Sequence, residues 1–164
     1  MPRDRLKAAG ATVEIASPET GEIKGWEKKN WGRAVKVDRA LADVRVADYD
    51  AIVLPGGQMN PDSLRASQPA LDLIRGFFDA GKVVAAVCHA PWLLIDTGIA
   101  RGRRLTAWPT VRTDLKNAGA EVVDEAVVAD NGVVTSRKPA DLEAFSEKIA
   151  AEILEGRHVR ARAA

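Results

Sequence analysis

Two strand-length runs without a polar side chain, Ala51 to Pro55 (AIVLP) and Val83 to Val87 (VVAAV), constrain this chain more than any other feature. A half-exposed strand alternates apolar and polar residues, so a run that is apolar on both faces belongs in a sheet covered on both sides, the usual setting of parallel strands. Each run stops at a sharp turn, at Gly56-Gly57 and at Cys88-His89-Ala90, and a helical pattern follows each. Strands alternating with helices in this way predict an α/β sandwich around a mostly parallel sheet.

The rest of the chain fits that frame. Pro2 to Ala9 reads as a helix stopped by Gly10, and Ala11 to Ser17 alternates like a strand, with Val13 and Ile15 on one side. Residues 18–50 form an irregular excursion with short strands and two tryptophans, Trp26 and Trp31. The loop Gly56 to Ser67 leads to a helix over Gln68 to Ala80, which places Leu71, Ile74 and Phe78 on one stripe before Gly81 caps it. Pro91 opens a helix that ends near Thr97, and Leu105 to Trp108 reads as a strand. Val111, Leu115 and Ala118 mark another helix, and Asn131-Gly132 between valine pairs signals a hairpin. The last helix starts at Pro139, buries Leu142, Phe145, Ile149 and Ile153, and stops at Gly156. The expected organisation is one domain over 1–156 and a flexible basic tail over 157–164. A helix at the very start implies a missing strand, because in a parallel sheet such a helix bridges two strands.

Charge and apolar length exclude several function classes. The 24 Lys and Arg residues nearly balance 23 Asp and Glu, so the basic excess that nucleic acid binding needs is absent. No apolar stretch approaches the roughly 20 residues that span a bilayer, and the charged start MPRDRLKAAG gives no sign of a signal peptide. The expectation is a cytoplasmic protein with no nucleic acid or membrane partner. A single cysteine permits neither an internal disulfide nor a thiolate zinc cluster, and neither a cofactor nor a metal is expected. Phosphate-binding glycine motifs are also missing.

The stretch VVAAVCHAPWLL, residues 83–94, carries the chemistry. An apolar strand ends on a nucleophilic residue, Ala86 and Ala90 flank it with small side chains, and Pro91 starts a helix at once. This is the layout of a nucleophile elbow. Backbone N–H groups at the helix start stabilise an anion, so Cys88 is expected to have a lowered pKa, and the N–H groups of His89 and Ala90 to serve an oxyanion. The competing reading of Cys88 is a small buried hydrophobe. Gly56 and Gly57 either complete an oxyanion hole or merely allow a tight turn. Of the two histidines, His158 belongs to the tail and reads as solvated, which leaves His89. Adjacent residues on a sharp turn often point apart, so His89 is expected to orient substrate or an acid rather than to take the thiol proton. Asp62 and Asp96 are acids near the same edge, each also readable as a solvated carboxylate. Trp26, Trp31, Trp92 and Trp108 line a cleft or an interface, or pack in the core.

The segments YDAIVLPGG, NPDSLR, GKVVAAVCHAPWLL, GRRLTAWP, RTDLKNAGAEVVDE and VVTSRKPADLEAF resemble the ThiJ/PfpI superfamily, in particular PfpI-like intracellular proteases and stress-inducible protein deglycases. The resemblance runs from Pro2 to about Gly156. It implies a flavodoxin-like three-layer α/β/α sandwich, class I glutamine amidotransferase-like, with assembly into homodimers or homohexamers. It implies that Cys88 is the nucleophile, His89 its neighbour, Gly57 the oxyanion glycine, and Asp62 an acid reaching the histidine of an adjoining subunit. Small aldehydes, peptides or glycated proteins are the implied substrates. Two departures stand out. Ala90 replaces the family's glycine after Cys-His, and the family's first strand, with a loop glutamate that bonds the cysteine, has no counterpart here. An N-terminal truncation or late start codon is the expectation, leaving either an exposed sheet edge or a slot in the middle of the sheet, a place for a partner chain. Without that glutamate the alternative function is a weakly active or non-catalytic stress protein that senses peroxide at Cys88. A glutaminase shares the elbow but needs a distant histidine and acid, which this sequence lacks.

Overall fold

The computed structural model describes residues 2–27 and 30–160, without the side chains of Trp26 and Glu27. Helix α1 (Pro2–Ala8) is followed by β1 (Ala16–Ser17), the hairpin strands β2 (Glu22–Glu27) and β3 (Asn30–Lys36), and β4 (Arg39–Ala40). Two 3-10 turns lead into β5 (Ala51–Leu54), α2 (Met59–Arg65) and α3 (Gln68–Asp79). Next come β6 (Val83–Val87), α4 (Pro91–Asp96), β7 (Arg104–Leu105), α5 (Arg112–Asn117) and β8 (Glu121–Val122). The chain closes with β9 (Val127–Asp130), β10 (Val133–Ser136) and α6 (Leu142–Glu155).

The central sheet has the order β5-β6-β10-β9, parallel except for the β9–β10 hairpin. Every residue of β6 is buried, and its side chains alternate between two cores. Val84 and Ala86 face Leu71, Ile74 and Phe77 of α3 with Leu93 and Leu94 of α4, whereas Val83, Ala85 and Val87 face Leu6 of α1 with Phe145 and Ile149 of α6. This is the expected α/β/α sandwich with a mostly parallel sheet. The apolar run that seeded the reading is apolar because helices cover both of its faces.

Several local expectations need correction. Of the predicted strand over 11–17 only Ala16 and Ser17 pair, with β4. Among the described residues no strand lies beside 11–15, and β5 pairs only through its β6 side. The presumed loop after Gly57 contains α2, and the strand expected over 105–108 pairs only at 104–105. In α3 it is Phe77, not Phe78, that enters the core; Phe78 is instead covered by the guanidinium groups of Arg103 and Arg160.

The tail is the larger correction. Residues 157–160 are not free but lie against the N-terminal end of β6. His158 donates its backbone N–H to the Gly81 carbonyl at 2.8 Å, Asn131 bonds the Val159 carbonyl, and Arg160 reaches the carbonyls of Phe78, Lys82 and Asn131. The His158 ring, read as solvated, is nearly covered and sits 3.5 Å from Glu152. Glycine makes the space: a Cβ on Gly132 would lie 2.4 Å from that ring, and one on Gly81 would lie 2.6 Å from the His158 carbonyl. Residues 161–164 fall outside the described part.

Candidate functional site

Cys88 follows the last residue of β6, at the carboxyl edge of the parallel strands where open α/β sheets hold their ligands. Its N–H donates to the Ser136 carbonyl at 2.9 Å and its carbonyl accepts from Trp108 N–H at 3.0 Å. These bonds hold it at φ 65°, one of two described non-glycine residues with positive φ. A side chain in that region costs on the order of 1–2 kcal/mol, and strain of this kind collects at functional sites. Gly56 passes so close that a Cβ there would lie 2.6 Å from the Cys88 Cβ and 2.9 Å from the Val87 carbonyl. Gly57 has φ 82°. The glycine pair thus meets two demands at once, close approach at Gly56 and turn geometry at Gly57.

Contrary to the expectation that the two side chains diverge, Cys88 Sγ lies 3.1 Å from His89 Nδ1. The imidazole is held between two tryptophans, with Trp108 stacked at 5.8 Å and Trp92 edge-on at 5.3 Å. Trp92 is fixed in turn by an indole hydrogen bond to Asp114 at 2.7 Å and by Arg65 above its ring. These two tryptophans flank the site; Trp31 is exposed on the β2–β3 hairpin, and the Trp26 side chain lies outside the described residues.

The electrostatics reverse a second expectation. Burial pushes the Cys88 thiol above the ordinary cysteine range, and the N–H groups of Gly57 and His89, which point at the sulfur, pull it only part of the way back. Burial also lowers the His89 pKa, so both shifts favour a neutral thiol beside a neutral imidazole over a thiolate beside an imidazolium. Two details explain the reversal. Helix α4 has only six residues, and the Ala90 N–H is already bonded to the Val87 carbonyl at 3.1 Å. Ala90 is therefore not an oxyanion donor; it is fully buried turn structure. The N–H groups that face the sulfur are those of Gly57 and His89.

The two candidate acids do not reach the pair. Asp62 is exposed on α2, and no hydrogen bond joins it to Cys88 or His89. Asp96 forms a two-point ion pair with Arg65, at 2.6 Å and 3.1 Å. Glu152, Glu155 and His158 bring donor atoms within 4.8 Å of one another, but at the opposite end of β6, and the Lys148 ammonium already neutralises Glu152 at 2.8 Å. Among groups that the sequence did not single out, Arg112 and Arg137 converge on Asp124 in a cavity beside Trp108. Their sequence positions, 25 apart with a hairpin between, gave no sign of that meeting.

Fold and site together define an α/β protein with a strained cysteine at a strand-to-helix elbow and a histidine in hydrogen-bond contact with it. Residues 1–152 match the DJ-1/PfpI family, and the chain belongs to that family. It is 44% identical over 144 residues to the deglycase PH1704 of Pyrococcus horikoshii, covering 88% of this chain and 84% of that one. Drosophila melanogaster DJ-1beta superposes with a TM-score of 0.82 at 31% identity, covering 94% of this chain and 84% of that one. A two-domain protein from Anabaena variabilis with DJ-1/ThiJ/PfpI-like and ferritin-like domains gives a TM-score of 0.86 at 34% identity; the match covers 93% of this chain and 43% of the Anabaena chain.

Proposed function

We propose that the chain is a PfpI-type hydrolase in which Cys88 attacks the electrophilic carbon of a peptide or of a glyoxal-derived adduct, with removal of such adducts from proteins as the leading activity. The observation that carries this reading is the 3.1 Å contact between Cys88 Sγ and His89 Nδ1 in a neutral pair. As the sulfur–carbon bond forms, the thiol proton passes to His89 Nδ1. At a peptide carbonyl the charge on the substrate oxygen falls to the N–H groups of Gly57 and His89, and the carbon–nitrogen bond then breaks. At the saturated carbon of a glyoxal hemiaminal the carbon–nitrogen bond is exchanged for the sulfur–carbon bond to give a hemithioacetal. In both cases the departing amine takes the proton from His89. Water cleaves the remaining sulfur–carbon adduct and restores the thiol. The name of the Pyrococcus horikoshii relative supports the deglycase reading. Peroxide sensing is supported less well, because it needs a thiolate and burial keeps this thiol protonated.

Asp62 enters this reading only through an adjoining subunit, in a homodimer or homohexamer, since within one chain it is exposed and apart from His89. Light scattering gives the subunit count. No helix among the described residues is long and apolar enough to cross a membrane, and a cytoplasmic setting suits an unpaired cysteine that must stay reduced. The test is turnover of a methylglyoxal-modified peptide by the intact chain and by Cys88→Ser. Loss in the variant is the expected result; full activity in Cys88→Ser overturns the assignment.

A further inference from the structure

The proposed chemistry accounts for Cys88, His89 and the two glycines, but not for the cavity beside them. That cavity is a half-open cleft of about 280 Å³ lined by Trp108, Pro109, Arg112, Asp124, Arg137 and Lys138. Its position is fixed by the elbow itself. The Trp108 ring stacks on His89 while forming one wall, and Trp108 N–H bonds the Cys88 carbonyl. On the other side Cys88 N–H bonds the carbonyl of Ser136, the residue before Arg137. Two backbone connections thus tie the cavity wall to the cysteine: Trp108 bonds it directly, and Arg137 follows the bonded Ser136.

Its charge is arranged rather than scattered. Arg137 spends its Nε and Nη2 on Asp141, at 2.9 Å and 3.2 Å, and its Nη1 on Asp124 at 2.8 Å. Arg112 donates Nη2 to the same Asp124 oxygen at 2.7 Å and Nε to the Ala107 carbonyl at 3.2 Å. Both guanidinium groups are thereby held in place and mostly covered. The pull of two arginines keeps Asp124 ionised down to about 2. Three cations, Arg112, Arg137 and Lys138, line the cavity with one carboxylate, Asp124, and the buried Asp141 behind Arg137 leaves a single positive charge in excess. Among the described residues no ion pair occupies Lys138, which lines the cavity and is exposed.

We propose that this cavity is a specificity subsite for a carboxylate of the substrate, seated between Lys138 and the free Nη1 of Arg112 while the electrophilic carbon lies at Cys88. The substrate class is then a carbonyl adduct or peptide bearing a carboxylate near the reacting carbon, either a free main-chain carboxylate or an acidic side chain. The inference rests on the reading of Cys88 as the nucleophile. Preorganised cations of this kind add selectivity between charged and neutral substrates more than raw affinity.

The test uses two readouts. In the first, methylglyoxal hemithioacetals of N-acetylcysteine and of N-acetylcysteine amide, which differ only in the carboxylate, are compared by kcat/KM in the intact chain, in Lys138→Gln and in Lys138→Glu. The acid is expected to be preferred by roughly fivefold, with the preference falling in Lys138→Gln and reversing in Lys138→Glu. A comparison of glycated peptides with the acidic group at the C-terminus or in the adjacent side chain then separates the two carboxylate sources. In the second readout, Cys88 alkylation rates by iodoacetate and iodoacetamide are taken as a ratio in the same three proteins; this needs no turnover. A ratio that falls from intact chain to Lys138→Gln to Lys138→Glu supports the subsite even if neither hemithioacetal is consumed, in which case the hydrolase reading fails alone. Equal preference for acid and amide together with an unchanged alkylation ratio overturns the subsite.

Discussion

The two ends of β6 face opposite demands. At its N-terminal end Lys82 is buried, yet its ammonium is shared among the carbonyls of Val46, Ala47 and Tyr49, and the residues around it are closed over by His158 and Arg160. At its C-terminal end Cys88 sits in a conformation costly for any side chain, half-buried, with one partner for its thiol. One end partners its buried ammonium and the carbonyls around it; the other keeps backbone strain and a thiol whose only side-chain partner among the described residues is His89. The difference teaches where this fold places stability and where it places reactivity, at positions separated by the five residues of a single strand.

That contrast can be broken by substitution. The largest expected effect is on activity: Cys88→Ala should lower turnover of a methylglyoxal-modified peptide by about 10³-fold or more, measured by release of the free amine. Next in size is Gly132→Val at the tail end. A Cβ there meets the His158 ring at 2.4 Å in a backbone with φ 77°, so a loss of about 3 kcal/mol by urea unfolding is expected. Lys82→Ala, which strands the carbonyls of Val46, Ala47 and Tyr49, should cost about 2 kcal/mol in the same assay. The smallest effect has the opposite sign. Cys88→Gly removes the positive-φ penalty and should be neutral or up to about 1 kcal/mol more stable, while remaining inactive. Destabilisation by 2 kcal/mol or more in that variant would show that Cys88 is packing, not strain.

Much of this layout could be read before any coordinates. The apolar runs 51–55 and 83–87 specified parallel strands; 83–87 is buried throughout, while in 51–55 only Leu54 is, because β5 pairs on its β6 side alone among the described residues. Asn131-Gly132 specified the hairpin, and both residues indeed take positive φ. The strand-to-helix turn with small neighbours marked Cys88 and His89 as candidates, whereas Gly57 was a tight-turn glycine to which only the family resemblance gave a role. What stayed hidden depends on distant residues. The tail RHVR has no apolar period, and its docking depends on space left by Gly81 and Gly132, which are far away in sequence. The sign of the Cys88 shift was hidden too, because it is decided by how deeply the surrounding layers bury the sulfur. The meeting of Sγ with Nδ1 depends on the positive φ of 65° at Cys88 together with the rotamers of both side chains, which the residue order alone does not specify.

The central claim is that Cys88 rests as a neutral thiol and is deprotonated by His89 during attack. The most direct measurement is the rate of Cys88 alkylation by iodoacetamide from pH 5 to 10, in the intact chain and in His89→Ala. Since burial raises the thiol and lowers the imidazole, the rate should climb with an apparent pKa above the free-cysteine value of about 8.5. Between these two titrations His89 is unprotonated and able to accept, so His89→Ala should be slower there. Below the histidine pKa, itself under the usual value of about 6.5, the two proteins should converge. An apparent pKa well below 8.5, with His89→Ala raising it, would contradict the account and mean that the elbow holds a preformed thiolate beside an imidazolium.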